Sequence, residues 1–176
     1  MNIINHKIVN IVALTDIKEE LDLNLMDLSF KNSEYDPESY HALIYRINEP
    51  KLSILVNKSG KIIFNGGKSL EDIINAREIF YRDLIDIGYN PQINDIETQN
   101  IVISGKTELI NEFSEIIKLK AHFNVKYTYE WPSRIIIKNK SPKFTLMIYK
   151  TGKFLLFLND LEKIEKVLDI IRSIKY

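Results

Sequence analysis

Apolar and polar positions alternate through residues 7–14, with Val9, Ile11 and Ala13 on one side and Asn10 and Val12 on the other. That period of two predicts a half-buried strand. The period then lengthens: Ile17, Leu21, Leu25, Met26 and Leu28 share one helical face, predicting a short helix over roughly 17–29. Strands are predicted at about 41–47, 51–57 and 61–66, with a short one near 30–35. Lys58-Ser59-Gly60 joins the last two as a hairpin turn, where glycine can take a positive φ. A long amphipathic helix then begins at Ser69, with Asp72 placed for a capping box and Ile73, Ile74, Ile79, Phe80, Leu84 and Ile87 as its apolar residues.

The same layout returns after the segment Gly88–Ile96. Val9-Asn10-Ile11-Val12 reappears as Gln99-Asn100-Ile101-Val102, and Lys58-Ser59-Gly60-Lys61 as Lys150-Thr151-Gly152-Lys153. The pairs Asn10/Asn100, Tyr40/Trp131, Pro50/Pro142 and Gly60/Gly152 stand 90, 91, 92 and 92 residues apart, so order and spacing survive with two one-residue insertions. In the second copy a helix is predicted over 107–118 behind Thr107 as N-cap, with Leu109, Ile110, Phe113, Ile116 and Ile117 on one face. A closing helix is predicted from Asn159, with Glu162 three residues on and Leu161, Ile164, Val167, Leu168 and Ile171 apolar. The chain thus reads as one α+β domain over 1–176, built from repeat one at about 7–90 and repeat two at about 97–176. Two such copies about a pseudo-two-fold axis suit a ligand with approximate two-fold symmetry, of which duplex DNA is the commonest.

The alternation leaves one sheet face unpartnered. If Ile54, Val56, Ile62 and Phe64 point at the helices, Leu55 and Ile63 turn outward beside Val12. In repeat two Val102, Met147, Tyr149, Leu155 and Phe157 turn out. An open face this apolar requires a partner: a second copy, a further layer, or a ligand.

Composition narrows the choice. Hydrophobic residues make up 45% of the 176, enough for a substantial core, and no apolar run approaches the roughly 20 residues that cross a bilayer. The absence of cysteine excludes disulfides and thiolate metal sites. His6, His41 and His122 are scattered, without acidic partners at ligand spacing, so no metal or other cofactor is expected. Ser104-Gly105-Lys106-Thr107 imitates the end of a phosphate loop, but Asn100 stands where that motif needs glycine. No spacing suggests a catalytic constellation, and a non-enzymatic role is expected. The net charge is zero, yet residues 1–90 hold ten Lys and Arg against fourteen Asp and Glu, and residues 91–176 hold fourteen against ten. A polyanion should therefore favour the second half.

The run from Val9-Asn10-Ile11-Val12-Ala13, through Glu34-Tyr35-Asp36-Pro37-Glu38-Ser39-Tyr40 and Leu43-Ile44-Tyr45-Arg46-Ile47-Asn48-Glu49-Pro50-Lys51, to Ser59-Gly60-Lys61-Ile62-Ile63-Phe64-Asn65-Gly66-Gly67-Lys68-Ser69 resembles the first repeat of the TATA-box-binding protein family. The likeness is strong over 8–90 and weaker, though collinear, over 97–176; the lack of a long N-terminal extension makes it most similar to archaeal members. The resemblance implies a saddle-shaped, curved antiparallel sheet of about ten strands, with four helices on the convex face and A·T-rich double-stranded DNA in the concavity. It implies a transcription initiation factor beside the chromosome, cytoplasmic in a prokaryote or nuclear in a eukaryote, with no membrane association.

Minor-groove edges of A·T pairs offer only acceptors, which a central amide donor can read. The family places one Asn per repeat there, matched by Asn10 and Asn100, with Val12 and Val102 beside them. Leu55, Ile63 and Asn65 in repeat one and Met147, Leu155 and Phe157 in repeat two complete the groove floor on this likeness. Arg46, Lys51, Lys61, Lys68, Lys143 and Lys153 match its phosphate-binding cations. Its four wedge positions, phenylalanine in the family, read Tyr40, Asn57, Trp131 and Tyr149, and its arginine near the end of the third strand of repeat two reads Ile137. The acidic motif that meets transcription factor B in the family becomes Tyr127-Thr128-Tyr129-Glu130, while repeat one keeps Asp36-Pro37-Glu38. Asp36, Glu38, Tyr127, Tyr129 and Glu130 are therefore the expected partner surface, with binding of a transcription factor B-like protein weakened by the change. The rival readings are a divergent relative acting as a protein-interaction module with little DNA bending, and an accessory substrate-binding domain.

Overall fold

The computed structural model describes every residue except 93, 109–122, 129–132 and 174–176. In chain order the elements are β1 (Ile3–Asp16), α1 (Leu23–Ser29), β2 (Ser33–Glu34), β3 (Ala42–Ile47), β4 (Leu52–Asn57), β5 (Lys61–Gly67), α2 (Leu70–Asp86), β6 (Glu97–Thr107), β7 (Asn124–Thr128), β8 (Arg134–Lys140), β9 (Lys143–Tyr149), β10 (Lys153–Leu158), a 3₁₀ turn (Leu161–Lys163) and α3 (Ile164–Ser173). The ten strands hydrogen-bond in the order β2-β3-β4-β5-β1-β6-β10-β9-β8-β7. The α+β class and the ten-stranded sheet agree with the sequence reading.

Compact packing divides the chain into Asn10–Gln99 and a second unit of Met1–Val9 with Asn100–Tyr176. In the first unit, Ile11, Ala13, Leu43, Ile54, Val56, Ile62 and Phe64 are buried beneath Ile73, Ala76, Phe80 and Leu84 of α2, and Leu23 and Met26 of α1 join the core. Phe30, Tyr45 and Phe80 form an aromatic cluster with centroids 5.3–6.3 Å apart. Each fully buried large apolar side chain contributes about 1.5–3 kcal/mol.

Helix α2 forms as the pattern predicts. Ser69 accepts from the Asp72 N–H and the Asp72 carboxylate accepts from Ser69 N–H, closing the capping box. Beyond its C-terminus Gly88 takes a φ of +96°, and Tyr89 N–H donates to the Leu84 carbonyl. The Tyr89 hydroxyl accepts from the backbone N–H of Asp22, whose carboxylate caps α1. The end of one helix thereby fixes the start of the other. Helix α1 is shorter than expected: Ile17 and Leu21 are buried but precede it.

In the second unit Ile101, Ile103, Ile135, Ile137, Leu146, Ile148, Phe154 and Leu156 are buried with Val167, Leu168 and Ile171 of α3. One expectation changes here, and another falls outside the described residues. Three α-helices, not four, occur among the described residues, and the body of the expected 107–118 helix lies outside them. Thr107 ends β6, fully buried, with its N–H donating to the Gly152 carbonyl at 2.8 Å and its hydroxyl 2.9 Å from the Glu108 carbonyl and 3.3 Å from that of Gly152, while the residues it was expected to cap lie outside the described ones. The final helical segment is capped by Asp160 rather than Asn159, the Asp160 carboxylate accepting from Glu162 N–H at 3.0 Å.

Candidate nucleic-acid interface

Strand register arranges the open face into rows. In residues 10–99, one row runs Ile44, Leu55, Ile63, Leu14, and the next runs Arg46, Ser53, Asn65, Val12. In the second unit the matching rows run Ile136, Met147, Leu155, Ser104 and Lys138, Thr145, Phe157, Val102. The strands alternate as a one-sided sheet requires: Ile54, Val56, Ile62, Phe64, Leu146, Ile148 and Leu156 are buried. Leu55, Ile63, Val12, Val102, Met147, Leu155 and Phe157 remain partly exposed. Each unit therefore carries a strip of apolar side chains aligned by cross-strand pairing.

Polar groups sit within and around these strips. Asn10 is partly exposed, and its amide Nδ2–H donates to Oδ1 of the exposed Asn65 at 3.1 Å. Asn100 is partly exposed two residues before Val102, as Asn10 is before Val12. Lys51, Lys61, Lys68, Lys143 and Lys153 are exposed at strand ends and turns. Lys61 pairs in register with Asp16, and Lys153 with Lys106. Arg46 is exposed and forms an ion pair with Glu34 at 2.9 Å. A hollow of about 600 Å³ in the second unit is lined by Tyr149, Leu155, Ser104, Lys150, Thr151 and Lys153, among others.

Of the wedge positions, Tyr40 is 50% exposed in the loop before β3 and Tyr149 partly exposed at the end of β9. Asn57 is tied to its own hairpin: Nδ2–H donates to the Lys61 carbonyl at 3.2 Å, and the Asn57 carbonyl accepts from Gly60 N–H at 3.0 Å. Trp131 lies outside the described residues, as do Tyr129 and Glu130 of the expected partner surface. Tyr127 pairs in register with buried Ile135, so it lies on the core side of β7. Asp36 organises its loop, accepting from the Ser39 hydroxyl and from Glu38 N–H at 3.1 Å; the Ser39 bond, then the Glu38 bond, hold its carboxyl below the usual range. Glu38 stands exposed in the same loop.

Register also corrects the sequence comparison. Ile137 is fully buried, on the core side of β8, and cannot stand for a cation on the open face. Lys138, exposed and in the row of Thr145, Phe157 and Val102, occupies the place that Arg46 holds in the first unit. Counting 92 residues from Arg46, the offset already set by Pro50/Pro142, would have found it. Divided by packing unit, the charge asymmetry sharpens. Residues 10–99 hold nine Lys and Arg against sixteen Asp and Glu, net −7, and the other unit holds fifteen against eight, net +7.

Residues 5–87 match the family model described as transcription factor TFIID, or TATA-binding protein. The TATA-box-binding protein of Picrophilus torridus is 35% identical over 150 residues, covering 83% of this chain and 80% of the relative. That of Thermoplasma acidophilum is 34% identical over 150 residues, again 83% and 80%. The TATA-box-binding protein-like 1 of Entamoeba histolytica is 34% identical over 148 residues, covering 83% of this chain and 67% of its own. Among solved structures, Methanococcus jannaschii TBP superposes with a TM-score of 0.81 at 28% identity, covering 95% of both chains. With this identity over this length, and with the ten-stranded topology, the chain belongs to the TATA-box-binding protein family of general transcription factors.

Proposed function

We propose that this chain binds A·T-rich promoter DNA through the minor groove, bends it, and helps recruit a transcription factor B-like protein and RNA polymerase. The observation that carries the reading is the repeated strip: a partly exposed Asn, a Val two residues on, and apolar rows beside exposed cations, once in each unit. A continuous apolar surface excludes water from a widened groove, and the amide donors meet the adenine N3 and thymine O2 acceptors. The family is itself the known case of this binding mode. Lysines at the strand ends neutralise phosphates, which makes the affinity salt-dependent.

The experiment is a gel-shift series with A·T-rich, inosine·C-substituted and G·C-rich duplexes at two salt concentrations. An inosine·C pair keeps the minor-groove pattern of A·T while changing the major groove. Equal binding to the first two, weak binding to the third and a loss of affinity at higher salt are expected. Preference for A·T over inosine·C would place the contacts in the major groove and contradict the reading.

The first unit also favours a second reading, a protein-interaction module with little bending. Its net charge is −7, its wedge position Asn57 is held by a hairpin bond, and its acidic Asp36-Pro37-Glu38 loop is ordered. Absence of binding to every duplex at low salt would select this reading, with Asp36 and Glu38 as the surface to probe.

A further inference from the structure

Two residues beyond the row of Ile136, Met147, Leu155 and Ser104, the second unit's open face carries one more row. Register sets Arg134 opposite Tyr149 and Lys153 opposite Lys106, and the hairpin closed by Gly152 N–H on the Tyr149 carbonyl at 3.0 Å joins the two pairs. The matching row of residues 10–99 sets Ala42 opposite Asn57 and Lys61 opposite Asp16. Ala42 is buried and Lys61 faces a carboxylate, so that row has no net charge. Arg134, Lys153 and Lys106 give the second unit's row three positive charges and no negative one.

This row is unfavourable in the free protein. Lys153 and Lys106 are like charges directly opposite in register, an arrangement that destabilises a sheet. Arg134 is partly exposed, but its Nε is buried and has no hydrogen-bond partner among the described residues, which costs desolvation. None of the three cations forms an ion pair among the described residues, and Glu108, two residues beyond Lys106, is bonded instead to Asn2 Nδ2 at 2.7 Å. Lys150, exposed in the hairpin, adds a further cation at the hollow of about 600 Å³ that Tyr149, Lys153 and Ser104 line. An anion would relieve both costs. Four adjacent strands at about 4.8 Å spacing span about 14 Å, so the row suits an extended polyanion rather than one small ion. It also continues directly from the apolar row proposed to face the groove.

We infer that Arg134 and Lys106, joined by Lys153, form a phosphate-binding row that grips the DNA backbone at the outer end of the second unit alone, beside the wedge position Tyr149. The inference rests on the proposed minor-groove reading and extends its footprint on one side. The planar guanidinium of Arg134 matches a pair of phosphate oxygens, and the two lysines act as point charges. Phosphates carry no base information, so the row adds affinity and leaves the A·T preference to the strips.

The test is fluorescence anisotropy with the unaltered chain and a labelled A·T-rich duplex in which one phosphate at a time is replaced by a neutral methylphosphonate. Neutralising phosphates at one end of the site should weaken binding about fivefold, and neutralising their counterparts at the other end by less than about twofold. K106Q, at an exposed side chain, and R134Q should each lower the log–log salt slope by about one unit and leave the ratio of A·T-rich to G·C-rich affinity unchanged. In R134Q/K106Q the one-sided methylphosphonate effect should vanish. Equal losses at the two ends, or a salt slope that neither substitution moves, overturn the inference while A·T-rich binding still stands, and would leave the row to an acidic protein segment. The scan with the unaltered chain decides by itself should a variant not fold. Failure to bind any A·T-rich duplex overturns the proposed function and this inference together.

Discussion

The carboxylate of Glu34 on β2 holds the guanidinium of Arg46 on β3 at 2.9 Å, with the two side chains 65% and 51% exposed. An exposed pair of this kind contributes at most about 1 kcal/mol to stability, so a phosphate can displace it, at a cost. Glu34→Gln should therefore leave the fold intact and raise DNA affinity about threefold, with the log–log salt dependence steeper by about one unit. Anisotropy titrations at four salt concentrations measure both.

Asn57 and Tyr149 occupy equivalent ends of β4 and β9, and the carbonyl of each accepts from the hairpin glycine at 3.0 Å, but the Asn57 side chain also donates to the Lys61 carbonyl at 3.2 Å. Asn57→Phe loses that bond, a cost of about 0.5–1.5 kcal/mol, and gains an aromatic group able to offset base unstacking. Expected are a lower melting temperature for the free protein, tighter binding to A·T-rich DNA and a larger bend by fluorescence transfer across a doubly labelled duplex. Tyr40→Ala should reduce bending far less than Trp131→Ala, since the proposed binding mode has the cationic unit hold the DNA more firmly.

Much of this was legible along the chain. The period-two alternation placed Leu55, Ile63, Met147 and Leu155 on the open face, and the Ser69/Asp72 spacing gave the start of α2. What was not legible depends on neighbours distant in sequence. Thr107 ends its strand with its N–H bonded to the Gly152 carbonyl, a pairing that no local pattern announces. Asn159 and Asp160 cap equally well, and only the chain's path chooses between them. Lys138 was concealed because adjacent residues in a strand face opposite ways, so a one-residue error in register exchanges the core for the surface. The bonds Arg46–Glu34 and Asn10–Asn65 leave no mark on periodicity at all.

Phe80 is fully buried at the centre of the aromatic cluster with Phe30, Tyr45 and Tyr81. Phe80→Ala should destabilise the fold by about 3–5 kcal/mol through lost burial and a residual cavity. Ser69→Ala, which opens the capping box, should cost about 1 kcal/mol. Urea unfolding of the two variants separates them.

Tyr45 donates its hydroxyl proton to the Asp83 carboxylate, and burial, then that bond and the Asp83 charge, push its pKa well above the ordinary value. A raised folded-state pKa stabilises the fold fully below the unfolded value, about 10, and the contribution is lost as pH rises past it. Stability should therefore fall with alkaline pH above about 10. Tyr45→Phe should make that fall shallower, as followed by urea unfolding across pH 9–11.5.

The most direct test compares the wild-type chain with Asn10→Asp/Asn100→Asp in competition between A·T-rich and G·C-rich duplexes at one fixed salt concentration. Using the ratio of affinities cancels the uniform loss that two added negative charges impose on any duplex. The wild-type chain should prefer the A·T-rich duplex, and the double variant should lose that preference, by about 1–3 kcal/mol for each contact removed. An unchanged ratio in the double variant would contradict the assignment of Asn10 and Asn100 as the base-reading residues.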